Sequence, residues 1–116
     1  MKRIAIPIAN GLLSETFGEC NYYEVFEVDK AIKSTKTAFL PDNILIPELP
    51  SWLKSEGITD VVTHRIDRRI IGLFASEKIN LFVGIAIEAP ERIIDDYLLG
   101  KLESDKKIIA ELIGNL

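Results

Sequence analysis

"RIAIPIANGLLSETFGECNYYEVFEVD", Arg3 to Asp29, decides the reading of the fold. Its opening, Arg3 to Ala9, is apolar almost throughout and reads as a buried strand. Pro7 cannot donate to a ladder, so pairing around it has to be incomplete. Asn10-Gly11 then breaks the strand. Tyr22 to Val28 is rich in aromatic and β-branched residues and forms a second strand. Across Asp29-Lys30 follows a third, Ala31 to Leu40, more polar and suited to a sheet edge, with Lys33 and Lys36 guarding that edge. The three together make an antiparallel meander.

Beyond the Pro41-Asp42-Asn43 loop the rhythm changes. Pro47 to Glu56 reads as a helix that starts near Leu49, because Pro50 is tolerated only in a first turn. Leu49, Trp52 and Leu53 share a face, and Gly57 is the stop. Asp60 to Thr63 is a short strand. Asp67 to Lys78 is a second helix with Asp67 as N-cap and Ile70, Ile71 and Phe74 on one face. Asn80 to Ile85 is the last strand. Pro90 to Leu99 is a third helix, with Ile93, Ile94, Tyr97 and Leu98 inward and Gly100 ending it. The order β-β-β-α-β-α-β-α predicts an α/β domain: a mixed sheet with helices on both faces. Ile4, Ile6, Val25, Val61, Phe82 and Val83 are expected to lie in the central sheet of a three-layer domain.

Composition narrows the function. A chain of 116 residues is one domain, and a net charge of −4 excludes an overall nucleic-acid footprint. No apolar run reaches the roughly 18 residues that span a membrane. One cysteine permits no internal disulfide, which fits a reducing cytoplasm.

The same stretch carries a resemblance. Together with "WLKSEGITDVVT" (Trp52 to Thr63) and "INLFVGIAIEAPERIIDDYLLGKL" (Ile79 to Leu102), it resembles the nitrogenase iron-molybdenum cofactor biosynthesis domain, over Lys2 to Leu102. The resemblance implies a three-layer α/β/α, ribonuclease-H-like fold with a five-stranded mixed sheet. It also implies a small carrier or accessory protein that holds an iron-sulfur or iron-molybdenum cluster, or its precursor. The sequence departs from the family pattern in two places. Thr16 stands where a His usually precedes Phe17-Gly18, and "THRIDRR" (Thr63 to Arg69) puts His64, Arg65 and Asp67 where glycines are usual.

In an open α/β sheet, ligands sit beyond the carboxyl ends of the parallel strands. Those ends are Ala9-Asn10-Gly11, Thr63-His64-Arg65 and Gly84-Ile85-Ala86. The candidate cofactor-binding residues are therefore Asn10, Phe17, Gly18, His64 and Arg65. Cys20 and His64 are the softest donors in the chain and the candidate metal ligands, suited to iron-sulfur clusters or zinc. The plainer alternative is that Cys20 is a buried filler and His64 a hydrogen-bonded strand-end residue. One Cys and one His fall short of the roughly four ligands of a closed zinc site, so a cluster's own ligands or a partner protein has to complete the set. Arg65, Arg68 and Arg69 at the start of the second helix suit a small anion, or else form a solvated face.

No carboxylate pair lies on the first strand and no nucleophile-base constellation is readable, so an enzyme is not expected. Two functions remain: a metallocluster carrier, or a diverged interaction domain that kept the fold and lost the site. The final segment, 103–116, reads as an extra C-terminal helix capped by Ser104, with Ile108, Ile109, Leu112, Ile113 and Leu116 in a stripe. That stripe closes over the chain's own core or pairs with a second copy in a homodimer.

Overall fold

The computed structural model describes residues 1–105. Among them are six strands: β1 (Lys2–Ala9), β2 (Leu12–Leu13), β3 (Tyr22–Asp29), β4 (Ala31–Ala38), β5 (Asp60–Val62) and β6 (Asn80–Phe82). They join in one mixed sheet ordered β4-β3-β1-β5-β6, with β2 beside β1. β1 runs antiparallel to β2 and β3 and parallel to β5, and β5 is parallel to β6. The three α-helices of these residues are α1 (Leu49–Ser55), α2 (Arg68–Ser76) and α3 (Pro90–Leu98).

The sheet has one strand more than the expected five. Asn10 and Gly11 both take positive φ, 55° and 79°, as a two-residue hairpin turn of type I′ needs. The chain therefore folds back, and Leu12 and Leu13 pair with Ala9 and Ile8. Asn-Gly turns the strand around instead of ending it.

β1 is buried on both faces, and its alternation sorts the core. Ile4, Ile6 and Ile8 join Phe26, Val28, Val62, Ile93 and Ile94 in one cluster. Ala5 joins Tyr23, Val25, Leu49, Leu53, Ile70 and Phe74 in the other. Hence α1 and α2 cover one face of the sheet and α3 the other, in three layers. The carbonyls of Arg3 and Pro7 accept from Thr59 and Ser14, so odd residues of β1 turn their main-chain groups toward β5 and β2. β5 pairs only with Ile4 and Ala5, and β2 only with Ile8 and Ala9. Pro7 has no N–H to give on that side, so it joins the ladder there through its carbonyl alone, which accepts from Ser14 at 2.8 Å.

The helices end where their sequences direct. Asp67 caps α2, its Oδ1 accepting from the Arg69 amide at 2.8 Å. Positive φ at Gly57 and Gly100 follows α1 and α3. β4 is the exposed edge from Ala31 to Thr37. Phe82 lies in the sheet as expected, but on its outer strand, where it is half-buried and edge-on to Tyr97 at 6.0 Å. The buried Asp60 carboxylate is satisfied by the Thr59 hydroxyl at 2.5 Å and the Asn80 amide at 3.0 Å. Burial, and then this carboxylate, push the Tyr97 hydroxyl up to about 12.

Ser104, the expected cap of the C-terminal helix, bonds back to the residue after β6. Its hydroxyl accepts from the Val83 amide at 2.9 Å, and the Asp105 amide donates to the Val83 carbonyl at 2.8 Å. The rest of the expected C-terminal helix, and the dimer built on its stripe, lie outside the described residues. Among the described residues no helix is long and apolar enough to cross a membrane.

Candidate functional site

α2, which follows β5, packs on one face of the sheet, and α3, which follows β6, packs on the other. The chain therefore departs in opposite directions between the carboxyl ends of β5 and β6, and such a divergence is where open α/β sheets open a crevice. His64 stands there. The two strands continue past their formal ends: Thr63 N donates to Phe82 O at 2.8 Å, Ile85 N to Thr63 O at 3.1 Å, and Gly84 N to His64 O at 3.0 Å.

The half-buried His64 ring is fixed in this frame. Its Nδ1 lies 2.9 Å from the Ile85 carbonyl oxygen. A carbonyl only accepts, so Nδ1 carries the hydrogen and Nε2 of the neutral ring keeps its lone pair. A ring so held has one nitrogen in the scaffold and one available as a donor to a metal.

The loop after β2 lies directly alongside. Thr16 and Arg65 form a parallel bridge, with Phe17 N donating to Arg65 O at 2.8 Å and Arg65 N to Glu15 O at 3.1 Å. This short ladder fills the space between the ends of β1 and β5. The buried Ser14, which the sequence reading did not single out, organises the loop from within. Its hydroxyl lies 2.6 Å from the Glu19 carbonyl and 3.0 Å from that of Thr16.

The remaining candidates take different places. Asn10 is exposed at the hairpin turn, and with Glu15, Thr16 and Glu19 it lines a groove of about 320 Å³. Phe17 is a core residue. Its ring is 4% exposed and sits 5.4 Å from that of Phe74, edge to face. Gly18 takes φ +96°, and a β-carbon there would meet Ile46 Cγ1 at 2.7 Å. Arg65 and Arg68 are exposed, and Arg69 pairs with Asp67 at 3.3 Å. That carboxylate already holds the α2 amide an anion would use. The Arg69 amide and guanidinium draw the Asp67 carboxyl below its ordinary value.

Cys20 is half-buried and packs against the cluster under α1 and α2, whereas the Ile85 side chain beside His64 belongs to the cluster under α3. Burial pushes the Cys20 thiol up to about 11, offset only in part by the Tyr23 hydroxyl. That hydroxyl is itself buried with no well-formed hydrogen bond; the thiol is a polar neighbour close enough to feel it. Among the described residues no three of His, Cys, Asp and Glu are grouped to hold a metal ion.

The chain matches no family model and no curated protein. Solved structures do resemble it. PH0822 superposes with a TM-score of 0.82 at 26% identity, over 92% of this chain and 97% of that one. A candidate dinitrogenase from Methanocaldococcus jannaschii gives 0.71 at 20% identity, over 90% of this chain and 94% of its own. The apo form of the orange protein from Desulfovibrio gigas gives 0.75 at 14% identity, over 91% and 94% respectively. The class defined is a small mixed α/β domain of the fold these proteins share.

Proposed function

We propose that this chain is a small accessory or carrier protein for a metallocluster or its precursor, and that it is not an enzyme. In this reading the domain is of the ribonuclease-H-like type, works in the cytoplasm, and takes its cargo at the carboxyl end of the sheet. The observation that carries the reading is the His64 ring, fixed through Nδ1 to Ile85 O at 2.9 Å with Nε2 uncommitted, at the point where the chain diverges between β5 and β6. The fold likeness to a candidate dinitrogenase, and to a protein solved in an apo form, supports it.

A closed mononuclear site does not fit these residues. It needs about four ligands, and the described residues offer no grouping of three. Cys20, with a thiol held near 11 inside a hydrophobic environment, is a poor second donor. A preassembled cluster whose metals already carry sulfide asks less of the protein: one donor and a fitting surface. The cluster is therefore cargo, and His64 is its point of attachment.

The second reading, a diverged interaction domain, draws on the burial of Phe17, which removes one expected site residue from any ligand, and on the half-buried Cys20, whose thiol is pushed up to about 11. Anaerobic reconstitution with iron and sulfide, followed by metal analysis and absorption spectra, separates the two. The carrier takes up stoichiometric iron through His64; the interaction domain takes up none.

A further inference from the structure

The geometry points to Gly84 as the residue that decides what His64 binds: a metal centre taken through the Nε2 lone pair, and not a free oxyanion. This rests on the reading of His64 as the attachment point.

Gly84 has φ +79°, a left-handed conformation that side chains other than Asn and Asp rarely adopt. Its amide donates to the His64 carbonyl at 3.0 Å. The left-handed turn then brings the next carbonyl, that of Ile85, to the imidazole of the same histidine at 2.9 Å. Two consecutive residues thus hold His64 by its main chain and by its ring. The Ile85 amide is tied to Thr63 O at 3.1 Å and its side chain is 6% exposed in the α3-side core, so the carbonyl is anchored on both sides.

The consequence is a fixed tautomer. With Nδ1–H committed to a carbonyl, neutral His64 offers a lone pair at Nε2. A lone pair attracts a Lewis acid but offers the oxygens of phosphate or molybdate no hydrogen to accept. Asp67 already takes the α2 amide that would draw an oxyanion there, its Oδ1 accepting from Arg69 N at 2.8 Å.

The test uses the full chain labelled with ¹⁵N. His64 is the one histidine, so its ring signals are unambiguous. Long-range ¹H–¹⁵N spectra of the native protein should show the Nδ1–H tautomer. Gly84→Ala should mix the two tautomers, while Gly84→Asn, which tolerates left-handed φ, should retain the native one. Ni²⁺ alone, used as the probe, should broaden the ring signals, with an affinity about tenfold weaker in Gly84→Ala. Phosphate and molybdate should leave the ring unmoved.

A native ring with hydrogen on Nε2 overturns the inference. So does a Gly84→Ala protein that keeps both tautomer and Ni²⁺ affinity, or a ring that answers to the oxyanions in place of Ni²⁺. If Gly84→Ala fails to fold, the native and Gly84→Asn spectra still decide. A ring that ignores Ni²⁺ overturns the inference as well, whereas a native tautomer that binds Ni²⁺ in a protein that takes up no iron sinks the carrier reading alone.

Discussion

Ile46 packs on the bare α-carbon of Gly18: a β-carbon there would stand 2.7 Å from its Cγ1 and 2.8 Å from its Cδ1. Gly18 also has φ +96°, so it answers two demands at once. Gly18→Ala should destabilise the protein by about 2 kcal/mol, from left-handed strain and crowding together. Gly18→Ala with Ile46→Ala should recover the crowding part only. Urea unfolding of these two variants and of Ile46→Ala alone measures both. A neutral Gly18→Ala would show that the loop is free to shift.

The aromatic core gives a graded expectation. Phe74 is 0% exposed and meets Phe17 edge to face, so Phe74→Ala should cost about 3–5 kcal/mol. Phe82, half-buried on the outer strand, should cost roughly 1–2 kcal/mol on truncation. Equal losses in chemical denaturation would place Phe82 under more cover than the structure gives it.

Much of this architecture was legible in the sequence. The apolar run of β1, the aromatic β3, the Pro50 and Asp67 helix starts and the glycine stops carry their structure locally. The β1–β2 hairpin was legible too, in Asn10-Gly11, but the pair reads equally as a strand end unless Leu12-Leu13 is recognised as a partner. The site was less readable because its contacts are not local. Phe17 looks like part of a ligand loop until Phe74, far along the chain, is seen to receive its ring. His64 could be placed at a strand end from the β-α rhythm. The partner that fixes its tautomer is Ile85, 21 residues away. Ser14 gave no signal at all, since a serine hydroxyl that ties two carbonyls looks like any loop serine.

Glu24 sets a pH dependence. Burial, and then the charge of Glu91, raise its carboxyl above the ordinary 4.5. A raised acid is held protonated more tightly by the fold than by the unfolded chain. Its contribution is thus fully present below about pH 4.5 and lost as pH rises through the folded value. Glu24→Gln should raise the melting temperature at pH 7, and the gain should shrink toward pH 4. A gain that grows on acidification would reverse the assignment.

Cys20 should be sluggish. With its thiol near 11, the thiolate is scarce at neutral pH. An aromatic disulfide reagent at pH 7.5 should modify the folded chain at least about a hundredfold more slowly than the unfolded one. Rapid modification of the native protein would mean an exposed, ionised thiol, and would restore Cys20 as a candidate ligand.

The carrier reading stands or falls on one comparison: iron bound after anaerobic reconstitution with iron and sulfide, for the native chain, His64→Ala and Cys20→Ser. Stoichiometric iron and a charge-transfer absorption band in the native and Cys20→Ser proteins, both lost in His64→Ala, is the predicted result. Iron bound equally by all three, or by none, would contradict it.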